Sequence, residues 1–240
     1  MHYLKIRNFF VILLLATTIC AGVSSAHAED VDDNIARVSD PLEKANRVVY
    51  GFNRILDKVL IKPATKGYMY IVPELARKGV HNVLTNLSEP VTLINSVFQG
   101  DVEHSFSTFW RFTINTTWGI GGIFDVAKDA GLTNRKEDFG QTAAVYGSDQ
   151  GPYLMLPVFG PSNTRDALGM LVDLSIDPFN YILSDEAIAT RTVLSGLDTR
   201  ESVMDLMDHI DRTSLDPYAA IRSLYTQKRW DEIRNGKRAE

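Results

Sequence analysis

Three Asp-Pro pairs, Asp40-Pro41, Asp177-Pro178 and Asp216-Pro217, constrain the fold of this chain more than any other feature. Aspartate accepts hydrogen bonds from the free N–H groups of a first helical turn, and proline suits the next position, where no N–H is needed. Glu43, three residues after Asp40, completes a capping-box pattern. Behind it Leu42, Ala45, Val49, Phe52, Leu56, Val59 and Leu60 recur at spacings of three and four, which predicts an amphipathic helix ending before Lys62-Pro63. The same logic predicts a helix from Pro217 with Ile221, Leu224 and Tyr225 on one face. Further helices are expected over Pro73 to about Asn86, after an Asp101 cap, over Asn163 to Asp173 and over roughly Glu186 to Ile210. Only Tyr153-Leu154-Met155-Leu156, between Pro152 and Pro157, looks extended. The expected fold is mostly α, in a single globular domain, because 240 residues leave no room for an array of domains.

The first 28 residues stand outside that domain. Lys5 and Arg7 are their only charges, Phe9 to Ile19 form an apolar stretch, and Ala26-His27-Ala28 has the small-x-small pattern of a signal-peptidase site. The apolar stretch is too short to span a bilayer of about 30 Å. Export with cleavage after Ala28 is therefore expected. Lipidation at Cys20 is the weaker alternative, because Ile19 is a poor residue to precede an acylated cysteine. Cleavage removes Lys5 and Arg7 and no acid, so 25 basic residues become 23 against 30 acidic ones, and the formal charge moves from -5 to -7. An acidic chain of this kind lacks the basic face of a nucleic-acid binder. It also loses Cys20, its sole cysteine, so stability must come from packing alone.

Two stretches are unlike ordinary helix and loop. Phe109 to Ala127, FWRFTINTTWGIGGIFDVA, holds only two charges, Arg111 and Asp125, and is broken by Gly119, Gly121 and Gly122. Burial as core is the default reading. The alternative is an in-plane membrane element with its aromatic rings near the headgroups. The second stretch, Tyr146-Gly-Ser-Asp-Gln-Gly-Pro-Tyr153, reads as a turn or hairpin tip, since Gly147 and Gly151 permit positive φ around Asp149.

Catalytic patterns do not emerge. His81, His104 and His209 form no HExxH arrangement, no thiolate remains for a metal, and there is neither a GxSxG elbow nor a phosphate-cradling glycine loop. His81 reads as an ordinary surface or core residue, and Asp198 and Glu201 as a solvated pair. No metal, no cofactor and no catalytic residue is expected.

Asp40-Pro41-Leu42-Glu43, Asn46-Arg47 and Tyr50-Gly51-Phe52-Asn53 together resemble the opening signature of the MlaA (VacJ) family. The resemblance continues through Asn86-Leu-Ser-Glu-Pro90, Gln99-Gly-Asp101, Arg111 to Thr116, Gly119 to Ala127, Asp138 to Thr142, Gly151 to Pro157 and Ser214 to Tyr218. It runs from about Asp40 to Trp230. It implies an all-α, ring-like single domain lying in the inner leaflet of the Gram-negative outer membrane, with one glycine-containing hairpin. Such a ring removes mislocalised phospholipids through a central channel, makes and breaks no bond, and passes the lipid to a periplasmic carrier, often beside a trimeric porin. On this reading Phe109, Trp110, Phe112, Trp118, Ile120, Ile123 and Phe124 are embedded in the membrane. Asn46, Arg47 and Asn53 line or brace the channel. Gly147, Asp149, Gly151 and Pro152 belong to a mobile hairpin bordering it, and bulkier residues at Gly147 and Gly151 should impair transport without unfolding the chain. The expected division is a signal peptide to residue 28, a tail over 29–39, the helical domain over 40–235 and a short tail over 236–240. A soluble periplasmic shuttle enclosing one lipid is the second function class considered.

Overall fold

In the computed structural model the described residues are 40–235, so the expected signal peptide, Cys20 and both tails lie outside them. The chain opens with α1 (Glu43–Leu56), which runs through a π-helical turn at Asp57–Ile61 into α2 (Lys62–Ile71). The helix expected to end before Lys62-Pro63 therefore continues. The wider turn, closed by Lys62 N–H to Asp57 O, brings Pro63 into the first turn of α2, where its missing N–H costs little. Asp40 does not cap α1 either. Its carboxylate turns inward and accepts from Asn46 Nδ2 (2.8 Å), Arg222 Nη1 (2.9 Å) and Tyr218 Oη (2.5 Å).

Next comes α3 (Glu74–Phe98), which outruns the expected Pro73–Asn86 helix and carries Pro90 in its interior. A proline there removes one helical donor. Near the break Arg191 Nη2 donates to Leu87 O at 3.2 Å. A three-residue turn leads to α4 (Val102–Thr117), capped as expected by Asp101, which accepts from His104 N–H at 3.0 Å. After the short α5 (Val126–Asp129) and α6 (Phe139–Val145) comes an antiparallel hairpin of β1 (Tyr153–Leu156) and β2 (Gly160–Asn163), in register from Tyr153↔Asn163 to Leu156↔Gly160.

The remaining helices are α7 (Thr164–Ile176), capped by Asn163, α8 (Phe179–Ile182), α9 (Asp185–Ser202), α10 (Met204–Thr213) and α11 (Pro217–Ile233). The single helix expected over Glu186 to Ile210 is thus two, broken at Val203. Asp216 caps α11, with Pro217 as its first residue, as the sequence predicts. On α11 Ile221 is buried and Tyr225 packs on the core, whereas Leu224 faces out.

The packing is inverted. The apolar core is a small cluster of Tyr153, Met155 and Tyr218, flanked by Val49, Tyr50 and Tyr225, where α1, the hairpin and α11 meet. Among the described residues 19 polar or charged side chains are buried against 9 hydrophobic ones, while 29 large hydrophobics are exposed. A water-soluble domain has the opposite preference. On α4 the buried side chains are His104, Thr108, Arg111 and Asn115, at spacings of four, three and four, whereas Val102, Phe106, Phe109 and Trp110 face outward. On α3 the buried set is Asn86, Glu89, Thr92, Asn95 and Ser96. The default expectation that Phe109 to Ala127 forms core is corrected here. Of its large apolar side chains Phe109, Trp110, Trp118, Ile120, Ile123 and Phe124 are exposed, and Phe112 is half-buried.

Candidate functional site

Two parts of the molecule carry the residues singled out from sequence. The first is the seam between α3 and α4. Arg111 is 1% exposed; its Nε donates to Glu89 Oε1 (2.9 Å), Nη2 to Asp125 Oδ1 (3.1 Å), and Nη1 to Leu132 O. Asn134 Nδ2 reaches the same Glu89 oxygen at 3.0 Å. Asn115 donates to Asp125 Oδ1 (2.9 Å) and accepts from Ala127 N–H (2.9 Å). Burial raises the Glu89 carboxyl above its ordinary range, and Arg111 and Asn134 oppose that shift. A charge this deep persists only when it is paired and hydrogen-bonded throughout.

This seam pins the glycine-rich loop after Trp118. A Cβ on Gly122 would lie 2.6 Å from the Asn86 Cβ, so the close approach admits only glycine. The loop consequently packs through its backbone and turns Trp118, Ile120, Ile123 and Phe124 outward, continuing the exposed face of α4. Another exposed apolar stripe runs along α1 and into the π-helical turn through Val48, Phe52, Ile55 and Val59. None of the described helices is long and apolar enough to cross a membrane.

The second part is the hairpin and the segment leading into it. Asn46 is buried at 4% exposure; it donates to Tyr153 O (3.0 Å) and accepts from Met155 N–H (2.9 Å). Two turns on, Asn53 donates to Leu156 O (2.8 Å) and accepts from Val158 N–H (2.8 Å). Both asparagines therefore satisfy the free edge of β1 as a third strand would, which braces the hairpin on α1. Arg47 lies apart from them. It forms a bidentate pair with Asp216 (2.6 and 3.1 Å), bonds Glu43 (2.8 Å) and covers the Tyr218 ring at 4.4 Å.

Tyr146 to Pro152 is not the hairpin tip. It is the connection from α6 to β1, and the tip lies downstream at Pro157 to Phe159. Gly147 (φ 83°) closes α6 in a Schellman motif, with Ser148 N–H to Ala143 O (2.9 Å) and Gly147 N–H to Ala144 O (2.9 Å). Gly151 (φ 65°) passes so close to α7 that an added Cβ would lie 3.1 Å from Thr164 Cβ. Asp149 and Pro152 are exposed. The segment is strapped to α7: Thr164 N–H donates to Pro152 O (3.2 Å), Arg165 N–H to Gln150 O (3.2 Å), and Arg165 Nη1 to Ser148 O (3.3 Å).

Several of these residues escape a reading of sequence alone. Arg111 and Asp125 are visible as the only charges in an apolar stretch, but nothing local pairs Arg111 with Glu89, or Glu89 in turn with Asn134. Arg165 looks like any residue of a first helical turn. Asp198 and Glu201, which read as a solvated pair, tie α9 to α3 through His81 (3.0 Å) and Arg77 (2.8 Å). Further along the polar interior, Asp173 accepts from Asn95 Nδ2 (2.9 Å) and Phe139 N–H (3.1 Å). Burial pushes its carboxyl up to about 7, because these neutral donors only partly offset desolvation.

The fold and these sites define an all-α protein of inverted polarity, with charges buried between its helices and apolar side chains displayed on its surface. The chain belongs to the MlaA lipoprotein family, whose profile matches residues 38–232. It is 36% identical over 231 residues to the intermembrane phospholipid transport system lipoprotein MlaA of Escherichia coli strain K12, covering 93% of this chain and 88% of that one. An uncharacterized protein of Rickettsia bellii is 34% identical over 232 residues, covering 91% of each chain. A solved structure concerned with the maintenance of bacterial outer membrane lipid asymmetry superposes with a TM-score of 0.73 at 35% identity, covering 81% of this chain and 99% of that one.

Proposed function

We propose that this chain is a non-enzymatic component of intermembrane phospholipid transport, which removes mislocalised phospholipids from the outer leaflet of the outer membrane. It lies as a ring in the periplasmic leaflet, encloses a polar path for the headgroup, and hands the lipid to a soluble periplasmic carrier, with a trimeric porin alongside. The observation that carries this reading is the inverted partition of side chains, since an exterior this apolar is stable against acyl chains and costly against water. With no spanning helix among the described residues, the partition fits an element lying in one leaflet. The soluble-shuttle reading asks for the reverse, apolar side chains inside around the lipid and polar ones outside.

In this reading Asn46 and Asn53 act on the lipid path by fixing β1. Arg47 fixes α1 to α11, and the Gly147–Pro152 segment, with Asp149 at its exposed bend, borders the path and gates it. Phe109, Trp110, Phe112, Trp118, Ile120, Ile123 and Phe124 meet lipid. The chain is exported and cleaved after Ala28, with no cofactor or metal. An intact mass beginning at Glu29 is the expected result, and a mass beginning at an acylated Cys20 contradicts it.

The deciding experiment labels outer-leaflet phospholipid in intact cells with a surface-restricted reagent. Deletion should raise the signal and restoration of the gene should reverse the rise. An unchanged signal removes the transport role.

A further inference from the structure

Among the described residues three other than glycine hold a left-handed backbone: Ile120 (φ 53°), Val158 (φ 71°) and Asn235 (φ 54°). Asparagine tolerates that region, but a β-branched side chain pays a steric penalty there and persists only when its surroundings dictate it. Val158 sits at the tip of the β1–β2 hairpin, and what dictates its backbone is Asn53, whose amide holds Leu156 O and Val158 N–H at 2.8 Å each. The strain brings the protein no packing in return, since Val158 is 60% and the adjoining Phe159 69% exposed.

The surroundings say what covers them. From Gln150 to Thr164 there is no Asp, Glu, Lys, Arg or His, so nothing in the hairpin offers charge to a polar partner. The tip is held at Asn53, next to Phe52 of the exposed α1 stripe, so its apolar side chains extend a surface of the same character. Bare apolar groups on an uncharged loop match hydrocarbon.

We propose that Val158 and Phe159 form a wedge that inserts among phospholipid acyl chains, and that Asn53 is the positioning residue that presents it. The inference rests on the membrane location proposed above, but it assigns lipid contact to a loop tip and a role to one residue of α1.

The test uses single cysteines, since Cys20 precedes the expected cleavage site and no other cysteine competes. A nitroxide at Phe159→Cys, and a reference nitroxide at Phe124→Cys, are read for collision with oxygen, which concentrates in hydrocarbon, and with a nickel chelate, which stays in water. The full mature chain is placed in vesicles of phosphatidylethanolamine and phosphatidylglycerol. Both labels should favour oxygen. Asn53→Ala should raise nickel access at 159 severalfold and leave 124 unchanged. Val158→Ser, which alters only an outward side chain, should shift 159 in the same direction, and it decides the matter if the alanine variant fails to fold.

A 159 label open to nickel while 124 is protected overturns the wedge and leaves the membrane location standing. Both labels open to nickel overturn the location itself. A 159 label exposed in vesicles but shielded in isolated outer membranes assigns the tip to a protein partner and overturns lipid contact. An unchanged 159 label in Asn53→Ala removes the positioning role.

Discussion

Arg111 is the side chain this protein is most sensitive to losing. Arg111→Ala strands Glu89 and Asp125 beside each other without their counter-charge, and breaking a buried pair in this way costs about 3–5 kcal/mol. The expected outcome is a large drop in the thermal midpoint, measured by circular dichroism in detergent. Asp173 supplies a pH signature. Its folded carboxyl titrates near 7 and an unfolded one near 3.8, so between these values the folded state holds the extra proton. Stability contributed by this group is therefore present at the acid end and declines as pH rises from about 4 to about 7. Asp173→Asn cannot ionise, so relative to it the wild type should lose up to about 3 kcal/mol between pH 5 and pH 7.5. Chemical denaturation of both proteins at the two pH values checks this, and parallel curves would contradict it. Arg111 was visible in the sequence as an isolated charge; Asp173 was not, because its burial comes from α3 and α6 rather than from its neighbours on α7.

At the scale of elements, the segment between α6 and β1 is held by few, weak bonds. Gly147 and Gly151 both need left-handed backbone, so replacing either with valine should cost about 1–2 kcal/mol before any effect on transport. A cost of that size is compatible with the expectation that bulk at these glycines impairs transport without unfolding the chain. Arg165→Ala removes one side-chain tie to Ser148 and leaves the backbone ties in place. Hydrogen exchange at the amides of residues 148–151 should quicken severalfold in that variant, with α6 and α7 unaffected. The helix starts at Asp101, Asn163 and Asp216 follow from local sequence because a cap is a contact within one turn. The hairpin position does not follow. Glycines mark a turn equally well whether it ends a helix or joins two strands, and only the pairing of Tyr153 with Asn163 settles which.

The whole molecule is organised by its apolar exterior. Phe106→Asp with Phe109→Asp places two charges on the outward face of α4 without touching the Arg111 seam. The doubly substituted chain should be released from membranes by a salt wash that leaves the wild type bound, and its thermal midpoint in detergent should move little, as for other surface substitutions. Full retention after the wash would count against the leaflet placement.

Helical content, several helix starts, strand β1 and the family signature were set by the sequence itself, because each depends on residues within a few positions of one another or on a linear pattern. Which face of each helix turns inward was decided only by the tertiary structure. Periodicity reports that a helix has two unlike faces, and its value is the same whether the apolar face meets a core or a bilayer. On α4 the polar face is the inner one because Glu89, Asp125 and the Leu132 carbonyl, distant in sequence, converge on Arg111 and satisfy it, which leaves Phe106, Phe109 and Trp110 to face outward.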